Sequence, residues 1–313
     1  MNAMLQRVRR AAKRASDSLF GAVAVGLIKI VRLTNPDRIA NVSGWIMRRL
    51  GPLFPENKVG RDNLTHAFPE KSAAEIEIIL GGVWENLGRM GAEFAHLDRL
   101  WDFDPNRPGR IEIPQSTIDR FIQIQNDGKP ALIFAAHLGN WELPAICGAT
   151  YELDSAVLYR KPNIPAVDRW LNQTRAASMG ELIATDLSAP VKIAEALQRG
   201  AHVGMLVDQY YRRGVPVIFF GQRTMANPLL ARLAQHFDCP IYGAHMIRLP
   251  GNRFRGEMTE EIAAVRGSDG KVDIAATMQV ITTVIEGWVR EHPEQWLWLH
   301  RRWRPNDEII KGP

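Results

Sequence analysis

Residues 131–142 read Ala131-Leu-Ile-Phe-Ala-Ala-His137-Leu-Gly-Asn-Trp-Glu142, and this stretch decides the fold. Residues 131–136 are an apolar run with the length and composition of a buried β-strand. A polar loop with a glycine follows, and Leu143-Pro144 then has the composition of a helix start, with proline in the first turn. The stretch therefore predicts a strand, a short polar loop and a helix in succession.

Similar strand and helix patterns follow along the chain. Apolar runs of strand length lie at 155–159, 202–207, 215–219 and 240–246. Helical patterns lie near 165–178, 188–199, 226–237 and 272–291. Strands that alternate with helices at this spacing predict an α/β fold with a mixed, mostly parallel central sheet covered by helices.

The chain upstream of the sheet region has helical patterns from residue 36 to about 103. Asn35-Pro36 has the composition of a helix N-terminus, and Ser72-Ala-Ala-Glu75 that of a capping box. We therefore divide the chain into an amino-terminal segment at 1–35, a helical part at 36–105 and an α/β part at 106–305. Because no repeat or low-complexity linker interrupts 36–313, we interpret it as one domain.

The charge of the protein is concentrated at its amino-terminus. The 313 residues carry 39 Lys and Arg and 34 Asp and Glu, a net charge of +5. Residues 1–38 hold eight basic and two acidic side chains, so the remainder has a net charge of −1. Because a nucleic-acid-binding domain normally has its basic excess on the folded body, this distribution argues against such a function.

The amino-terminal segment combines this basic charge with an apolar run. Residues 19–28 are ten uninterrupted apolar residues, which as a helix would be about 15 Å long, short of the ~30 Å hydrocarbon core of a bilayer. No small-residue cleavage site follows, which disfavours a secretory signal. We predict an uncleaved membrane-anchoring helix within 1–35 that either spans the bilayer at a tilt or lies in its interface; the alternative is a helix of the protein core.

His137 is the best candidate for a catalytic residue. It is the histidine that directly follows an apolar strand and precedes a Gly-Asn pair, where an α/β fold exposes side chains to ligands. Glu142 comes one helical turn later and could accept a hydrogen bond from Nδ1, which would leave Nε2 to act as a general base. The alternative is a loop histidine beside an exposed glutamate, without a catalytic role.

Other common kinds of site have no support in the sequence. Cys147 and Cys239 are far apart and do not form a CxxC pair, which argues against a disulfide framework and a thiolate zinc site. Walker A, GxGxxG, GxSxG, HExxH and EF-hand motifs do not occur. We therefore expect neither a metal ion nor a bound cofactor.

The chain resembles a known family over residues 45–304. His137-x4-Glu142 matches the H-x4-D/E motif of the glycerophosphate-type acyltransferases, and the surrounding sequence is more similar to the late acyltransferases of lipid A biosynthesis, the lauroyl and myristoyl transferases. The segments that carry the resemblance are Arg61-Asp-Asn-Leu64, Ala67-Phe-Pro-Glu70, Trp84-Glu-Asn-Leu-Gly88, Tyr159-Arg-Lys-Pro162, Asp168-Arg-Trp-Leu171, Asp208-Gln209, Phe219-Phe-Gly221 and Pro293-Glu-Gln-Trp-Leu-Trp-Leu-His-Arg-Arg-Trp303. The last segment is the most specific of them.

The resemblance implies roles for particular residues. It makes His137 the general base and Glu142 its orienting partner, and it gives Arg175 and Asp208 supporting roles. A surface salt bridge is the alternative for Arg175, and a turn cap is the alternative for Asp208. One departure is Val207, which stands where members of the family often have a proline before the aspartate.

Several other arginines are candidates for contacts with substrate. Arg160, in Tyr-Arg-Lys-Pro, is a candidate for contact with a phosphate or the thioester. Arg301, Arg302 and Arg304 could bind phosphates through paired hydrogen bonds. The alternative for these three is that they only add charge to the end of the chain.

The resemblance also implies a reaction and its partners. The implied activity is O-acyl transfer from an acyl carrier protein thioester to a hydroxyl of a hydroxyacyl chain on a phosphorylated lipid A precursor. The implied place is the cytoplasmic face of the bacterial inner membrane, where the anionic bilayer is a further partner. Since no serine or cysteine nucleophile motif accompanies His137, we favour direct attack over a covalent acyl-enzyme.

Two alternative functions stay open. The same transfer could act on another membrane lipid, such as a lysophospholipid, an ornithine lipid or a glycolipid, because the H-x4-D/E motif is shared among these enzymes. A protein of a different class, a non-catalytic peripheral lipid-binding protein, is the second alternative.

Overall fold

The α/β part is built on nine strands within the described residues. The computed structural model describes residues 21, 25–161, 165–176 and 178–304. The strands in these ranges are β1 (Ile111–Glu112), β2 (Leu132–Ala135), β3 (Ser155–Tyr159), β4 (Glu181–Ala184), β5 (His202–Leu206), β6 (Val215–Phe219), β7 (Gln222–Ala226), β8 (Ile241–Leu249) and β9 (Arg253–Met258).

Helices precede the sheet and alternate with its strands. Helix α1 includes residues 25–32. The others are α2 (Pro36–Leu50), α3 (Glu56–Ala67), α4 (Ala73–Glu93), α5 (Gln115–Asn126), α6 (Leu143–Thr150), α7 (Pro165–Ala176), α8 (Ala189–Gln198), α9 (Leu229–Phe237) and α10 (Ile274–Glu291). Short 3₁₀ segments lie at Gly51–Leu53, Phe94–Arg99 and Pro293–Gln295.

Seven strands form one sheet in the order β1-β9-β8-β2-β5-β3-β4. Neighbours are parallel everywhere except at β8 and β9, which are antiparallel. Strands β6 and β7 form a separate hairpin. The prediction of an α/β fold with a mixed, mostly parallel sheet is therefore confirmed.

The helical part upstream of the sheet begins at the predicted capping residues. The side chain of Asn35 accepts hydrogen bonds from the backbone N–H groups of Asp37 and Arg38 at 3.1 and 3.0 Å, which caps α2. Ser72 and Glu75 form the reciprocal capping box of α4. These contacts satisfy N–H groups that a helix start otherwise leaves unpaired.

The two faces of the central strand β2 have different neighbours, since side chains alternate along a strand. Leu132 and Phe134 are fully buried on one face, where the Phe134 ring stacks on Trp288 of α10 with centroids 5.5 Å apart. Ile133 and Ala135 lie on the other face and line a cavity. One face of the sheet is therefore packed against helices and the other bounds a space.

The predicted anchor at 1–35 lies mostly outside the described residues. Of the part that is described, Arg32 forms a salt bridge with Asp98 at 2.8 Å, and the Nε2 atom of His96 lies 3.0 Å from the carbonyl oxygen of Val31. Within the ranges given above, no helix has the length and apolar character needed to cross a membrane. The division of the chain at residue 35 stays a prediction.

Candidate active site

His137 and Asp208 meet at the carboxyl ends of neighbouring parallel strands. Ala135 of β2 pairs with Leu206 of β5, and each candidate residue stands two positions beyond this pair. The Nδ1 atom of His137 lies 2.8 Å from Oδ1 of Asp208. The register of the sheet therefore brings the two residues together from positions 71 residues apart.

The carboxylate of Asp208 is held by three hydrogen bonds. Besides Nδ1 of His137, the backbone N–H of His137 donates to Oδ2 at 2.8 Å and Nε1–H of Trp296 donates to the same atom at 2.7 Å. Burial alone would raise the pKa of this carboxyl, but the electrostatic interaction with His137 and these hydrogen bonds outweigh it and hold the pKa below its ordinary value. Asp208 is therefore a fixed anion at neutral pH.

This anion sets the tautomer of His137. A carboxylate only accepts hydrogen bonds, so Nδ1 must carry the proton, and Nε2 is left as the basic nitrogen. Nε2 lies 3.2 Å from Nε2 of Gln209, and the ring makes an edge contact with Trp141 at 5.1 Å. The arrangement can therefore accept a proton at Nε2 and stabilise the resulting imidazolium.

The predicted pairing of His137 with Glu142 is wrong, because Nδ1 of His137 contacts Asp208 instead. The carboxylate of Glu142 instead accepts two hydrogen bonds from Arg175 of α7, from Nε at 2.9 Å and from Nη2 at 2.6 Å. The physical reason is that Asp208 already occupies Nδ1, while the Glu142 side chain faces α7 from the start of α6. Arg175 is thus part of a largely buried ion pair rather than a surface salt bridge.

The loop between His137 and Glu142 is pressed against strand β8. Gly139 has φ of 59°, a left-handed conformation that favours glycine. A Cβ atom at this position would lie 1.9 Å from the carbonyl oxygen of Met246. The N–H of Gly139 donates to the carbonyl of Gln295 at 3.0 Å. The glycine therefore allows the loop to approach two other chain segments closely.

A buried network of hydrogen bonds connects this loop to helix α4. Glu93 of α4 accepts hydrogen bonds at 2.9 Å from Nδ2 of Asn140 and from Nη2 of Arg248. Nδ2 of Asn86 donates to the carbonyl oxygens of Gly139 and Gln295, both at 3.1 Å. Sequence reasoning missed the role of these residues. The signal was available in part, because Asn86 and Glu93 are seven residues apart, on the face of α4 whose other buried residues are apolar or glycine.

A cavity of about 640 Å³ extends from His137 along the open face of the sheet. Its lining includes residues of the parallel strands β2, β3 and β5 and of helices α5 and α6. Apolar residues dominate the lining, among them Phe103, Ile118, Phe121, Ile133, Ala135, Pro144, Ala145, Val157, Leu182, Leu206 and Met246. This volume and composition suit a ligand of long apolar shape.

Comparison with known families identifies one that covers most of the chain. The model of one protein family, the bacterial lipid A biosynthesis acyltransferases, matches residues 8–305 of the chain. The chain belongs to the bacterial lipid A biosynthesis acyltransferase family. No curated protein matches it. The resemblance found in the sequence is confirmed at the level of this family, while the late-acyltransferase subtype stays a prediction.

The arginines predicted to contact substrate have different places in this acyltransferase. Arg160 is exposed and lines the cavity. Arg301 is exposed as well. Arg304 lies with its guanidinium 4.8 Å from the centre of the Tyr210 ring. Arg160 is therefore the one of these three that the structure brings to the edge of the site.

Arg302 does not fit the predicted role in phosphate binding. It is only 2% exposed, and Nη1 donates to Oγ1 of Thr224 at 2.9 Å and to the carbonyl of Met225 at 3.1 Å. Burial lowers the pKa of Arg302 to about 10. The guanidinium thus anchors the end of the chain to β7 and is not presented to a ligand.

The two cysteines of the acyltransferase are free thiols. Burial raises the pKa of Cys147, which lines the cavity, to about 12, and that of Cys239 to about 11. Both are therefore protonated and weakly nucleophilic at neutral pH. In the part of the chain that the structure describes, no three His, Cys, Asp or Glu side chains are placed to hold a metal ion.

Proposed function

We propose that this protein transfers a fatty acyl chain from an acyl carrier protein thioester to a hydroxyl of a hydroxyacyl chain on a lipid A precursor. The observation that carries the proposal is the His137–Asp208 pair at the edge of a large apolar cavity. A base with a fixed tautomer beside a site for an acyl chain is what O-acyl transfer requires. Membership of the lipid A biosynthesis acyltransferases supports the acceptor.

The proposed reaction is direct attack in a complex that holds both substrates. Nε2 of His137 takes the proton of the acceptor hydroxyl while its oxygen attacks the thioester carbonyl. The tetrahedral intermediate then collapses, the C–S bond breaks, and the imidazolium returns the proton to the departing thiolate. Asp208 stabilises the imidazolium between these steps. Cys147 is an unsuitable nucleophile because burial holds its pKa at about 12.

The developing oxyanion needs donors close to His137. The amide nitrogen of Gln209 lies 3.2 Å from Nε2 of His137 in the free protein. When the acceptor hydroxyl donates its hydrogen bond to Nε2, this amide is free to donate to the oxyanion. Arg175 also lines the cavity, with its guanidinium held by Glu142. We assign these two side chains to stabilising negative charge and Glu142 to positioning Arg175.

We further propose that the protein acts at an anionic membrane, on the cytoplasmic face of the inner membrane. Exposed apolar side chains in the helical part support the contact with a membrane. Nine of the fifteen large apolar side chains that are exposed in the described residues belong to one stretch of the chain. We name it the α1–α2 apolar surface: Leu27, Ile30, Leu33, Val42, Trp45, Ile46, Leu50, Leu53 and Phe54. Arg48 and Arg49 lie among them, and Arg49 covers the Trp45 ring at 3.8 Å. Exposed tryptophan and leucine beside arginine is typical of interfacial helices.

The proposed activity is tested by transfer in vitro with purified components. The full-length protein should acylate a tetraacyl lipid A precursor when acyl carrier protein carries the chain, with His137→Ala as the inactive control. Mass spectrometry then locates the new chain. Transfer to a lysophospholipid or an ornithine lipid instead would support the alternative acceptors, and absence of transfer from every thioester would support a non-catalytic lipid-binding protein.

The α1–α2 apolar surface should contribute to membrane binding. We expect Leu33→Glu, Trp45→Glu and Leu53→Glu together to weaken co-sedimentation with vesicles of phosphatidylglycerol and phosphatidylethanolamine by about tenfold or more, because each large apolar side chain contributes ~1.5–3 kcal/mol when buried. The matched control replaces Ile78, Leu187 and Val191 by glutamate. These side chains are also exposed but lie outside the α1–α2 apolar surface. An equal loss in the control would contradict a specific surface.

A further inference from the structure

A second pocket, of about 400 Å³ and more open to solvent than the cavity, lies between the start of α3 and the segment after α10. Pro55 and Glu56 line it on one side, and His300, Arg301 and Arg304 line it on the other. The transfer reaction proposed above gives no role to this pocket. Two connections join it to His137.

The first connection is the backbone of the segment after α10. The N–H of Leu297 donates to the carbonyl oxygen of His137 at 3.0 Å. Arg301 is four residues further along the chain, so its Cα atom is at most about 14 Å from that of Leu297. The pocket and the proposed base are therefore neighbours in space.

The second connection passes through Tyr210. The guanidinium of Arg304 lies 4.8 Å from the centre of the Tyr210 ring. Tyr210 directly follows Gln209, whose amide nitrogen lies 3.2 Å from Nε2 of His137. Arg304 is thus linked to the side of His137 at which the acceptor hydroxyl has to arrive.

The two arginines of the pocket have N–H groups available for an anion. Arg301 is exposed, and its side chain has no hydrogen bond or ion pair within the described residues. Arg304 is exposed too, and its contact with Tyr210 uses the face of the guanidinium while the N–H donors lie in its plane. Of the described residues that line the pocket, Glu56 is the acidic one. Burial lowers the pKa of His300, so its ring is neutral at pH 7 and the pocket has an excess of positive charge.

The pocket also borders the α1–α2 apolar surface. Leu53 and Phe54 of that surface directly precede Pro55 and Glu56, which line the pocket. With the surface resting on a bilayer, the pocket lies at the level of the lipid headgroups. This position favours an anion that belongs to a membrane lipid over one that a soluble donor carries.

We propose that Arg301 and Arg304 bind a phosphate of the lipid A precursor while the hydroxyl of the same molecule meets Nε2 of His137. This inference rests on the proposed function, since it concerns the acceptor of that reaction. In a phosphorylated sugar that carries a hydroxyacyl chain, the sugar ring and the first carbons of the chain separate the phosphate from the hydroxyl. One acceptor molecule can therefore occupy the pocket and reach the base. Guanidinium groups hold phosphate oxygens through charge-assisted, often paired hydrogen bonds.

The experiment compares the phosphorylated precursor with the same lipid after enzymatic removal of its phosphates, in detergent micelles with the full-length protein. The wild-type KM should be about tenfold higher for the dephosphorylated lipid. Arg301→Gln with Arg304→Gln should raise the KM for the phosphorylated precursor by about tenfold at nearly the same kcat, because binding is lost equally from substrate and transition state. This variant should no longer distinguish the two acceptors.

Two controls test the charge of the pocket itself. Arg212→Gln with Arg213→Gln removes the same charge from exposed residues close to Tyr210 that do not line the pocket, and the KM for the phosphorylated precursor should stay nearly unchanged. Glu56→Gln removes the carboxylate that opposes the phosphate and should lower this KM by up to about fivefold. A rise of the KM in Glu56→Gln, or a tenfold rise in the Arg212 and Arg213 variant, would contradict the site.

The outcomes separate this inference from the proposed function. Absence of transfer by the wild-type protein to either acceptor would overturn the proposed function. Transfer with equal wild-type KM values for the two acceptors would refute the phosphate site alone. The KM for the donor and co-sedimentation with phosphatidylglycerol vesicles are measured for the same variants. If Arg301→Gln with Arg304→Gln weakens either of these instead of acceptor binding, the arginines contact the donor's phosphate or the bilayer, and the inference is refuted.

Discussion

Replacing Asp208 by asparagine is expected to slow acyl transfer by about 10²- to 10⁴-fold, the usual contribution of a positioned general base. An amide at this position can present its NH₂ group to Nδ1, which would leave the proton of His137 on Nε2. Nε2 could then no longer accept a proton from the acceptor hydroxyl. The measurement is the initial rate of transfer with saturating donor, with circular dichroism to show that the variant is folded.

The charge of Asp208 should not limit the rate near neutral pH. Because its hydrogen bonds and the neighbouring His137 hold the pKa of Asp208 below its ordinary value, the carboxylate stays ionised across the neutral range. Protonation of Asp208 should therefore not slow the wild-type enzyme in that range, which initial rates measured across neutral pH will check.

Glu142→Gln is the informative comparison, because sequence reasoning gave Glu142 the role that the structure gives to Asp208. We expect a smaller loss of rate than for Asp208→Asn, because Glu142 contacts Arg175 and not His137. The double variant His137→Ala, Asp208→Asn should be no slower than His137→Ala alone, since the two residues act as a unit. A full loss in Glu142→Gln together with normal activity in Asp208→Asn would restore the original pairing.

The second large effect is on stability. Arg248→Met is expected to lower the free energy of unfolding by about 3–5 kcal/mol, because it leaves the Glu93 carboxylate buried without its cation. The side chains of this pair are 10% and 3% exposed, so water cannot replace the lost contact. Urea unfolding followed by tryptophan fluorescence measures the change.

Two further variants identify the origin of that loss. Glu93→Leu combined with Arg248→Met removes both charges and should recover part of the stability. Arg266→Met breaks a salt bridge of 2.6 Å with Asp238 that lies in solvent, and it should cost no more than about 1 kcal/mol. Equal losses for Arg248→Met and Arg266→Met would show that burial of the pair has no energetic consequence.

Continuous apolar runs made most of the sheet predictable. The five strands expected from such runs are all present, with ends shifted by a few residues. Strand β9, Arg253–Met258, was missed because charged residues alternate with the others along it. Strand β4, at the edge of the sheet, was missed because its apolar run is only the three residues 182–184 and follows α7 closely. Patterns of hydrophobicity thus reveal strands with continuous apolar runs and hide strands that are short or carry charged residues.

The His137–Asp208 pair shows why a site is harder to predict than a fold. Both His137 and Asp208 were recognised at strand ends, yet His137 was paired with Glu142 because the two are close in sequence. The correct partner depends on β2 lying next to β5 with Ala135 opposite Leu206. Strand order and register arise from tertiary packing and are not visible as a local pattern. For the same reason Arg302 was assigned to the surface although it is buried.

The contact between the loop that carries His137 and the segment after α10 makes a complete site depend on translation having reached that segment. Leu138 forms a β-bridge with Trp296, the N–H of Leu297 donates to the carbonyl of His137, and Trp296 holds Asp208. A nascent chain therefore lacks a complete site until translation has passed residue 297. Truncated translation products that end before this segment should be catalytically silent, even when all nine described strands have already been synthesised.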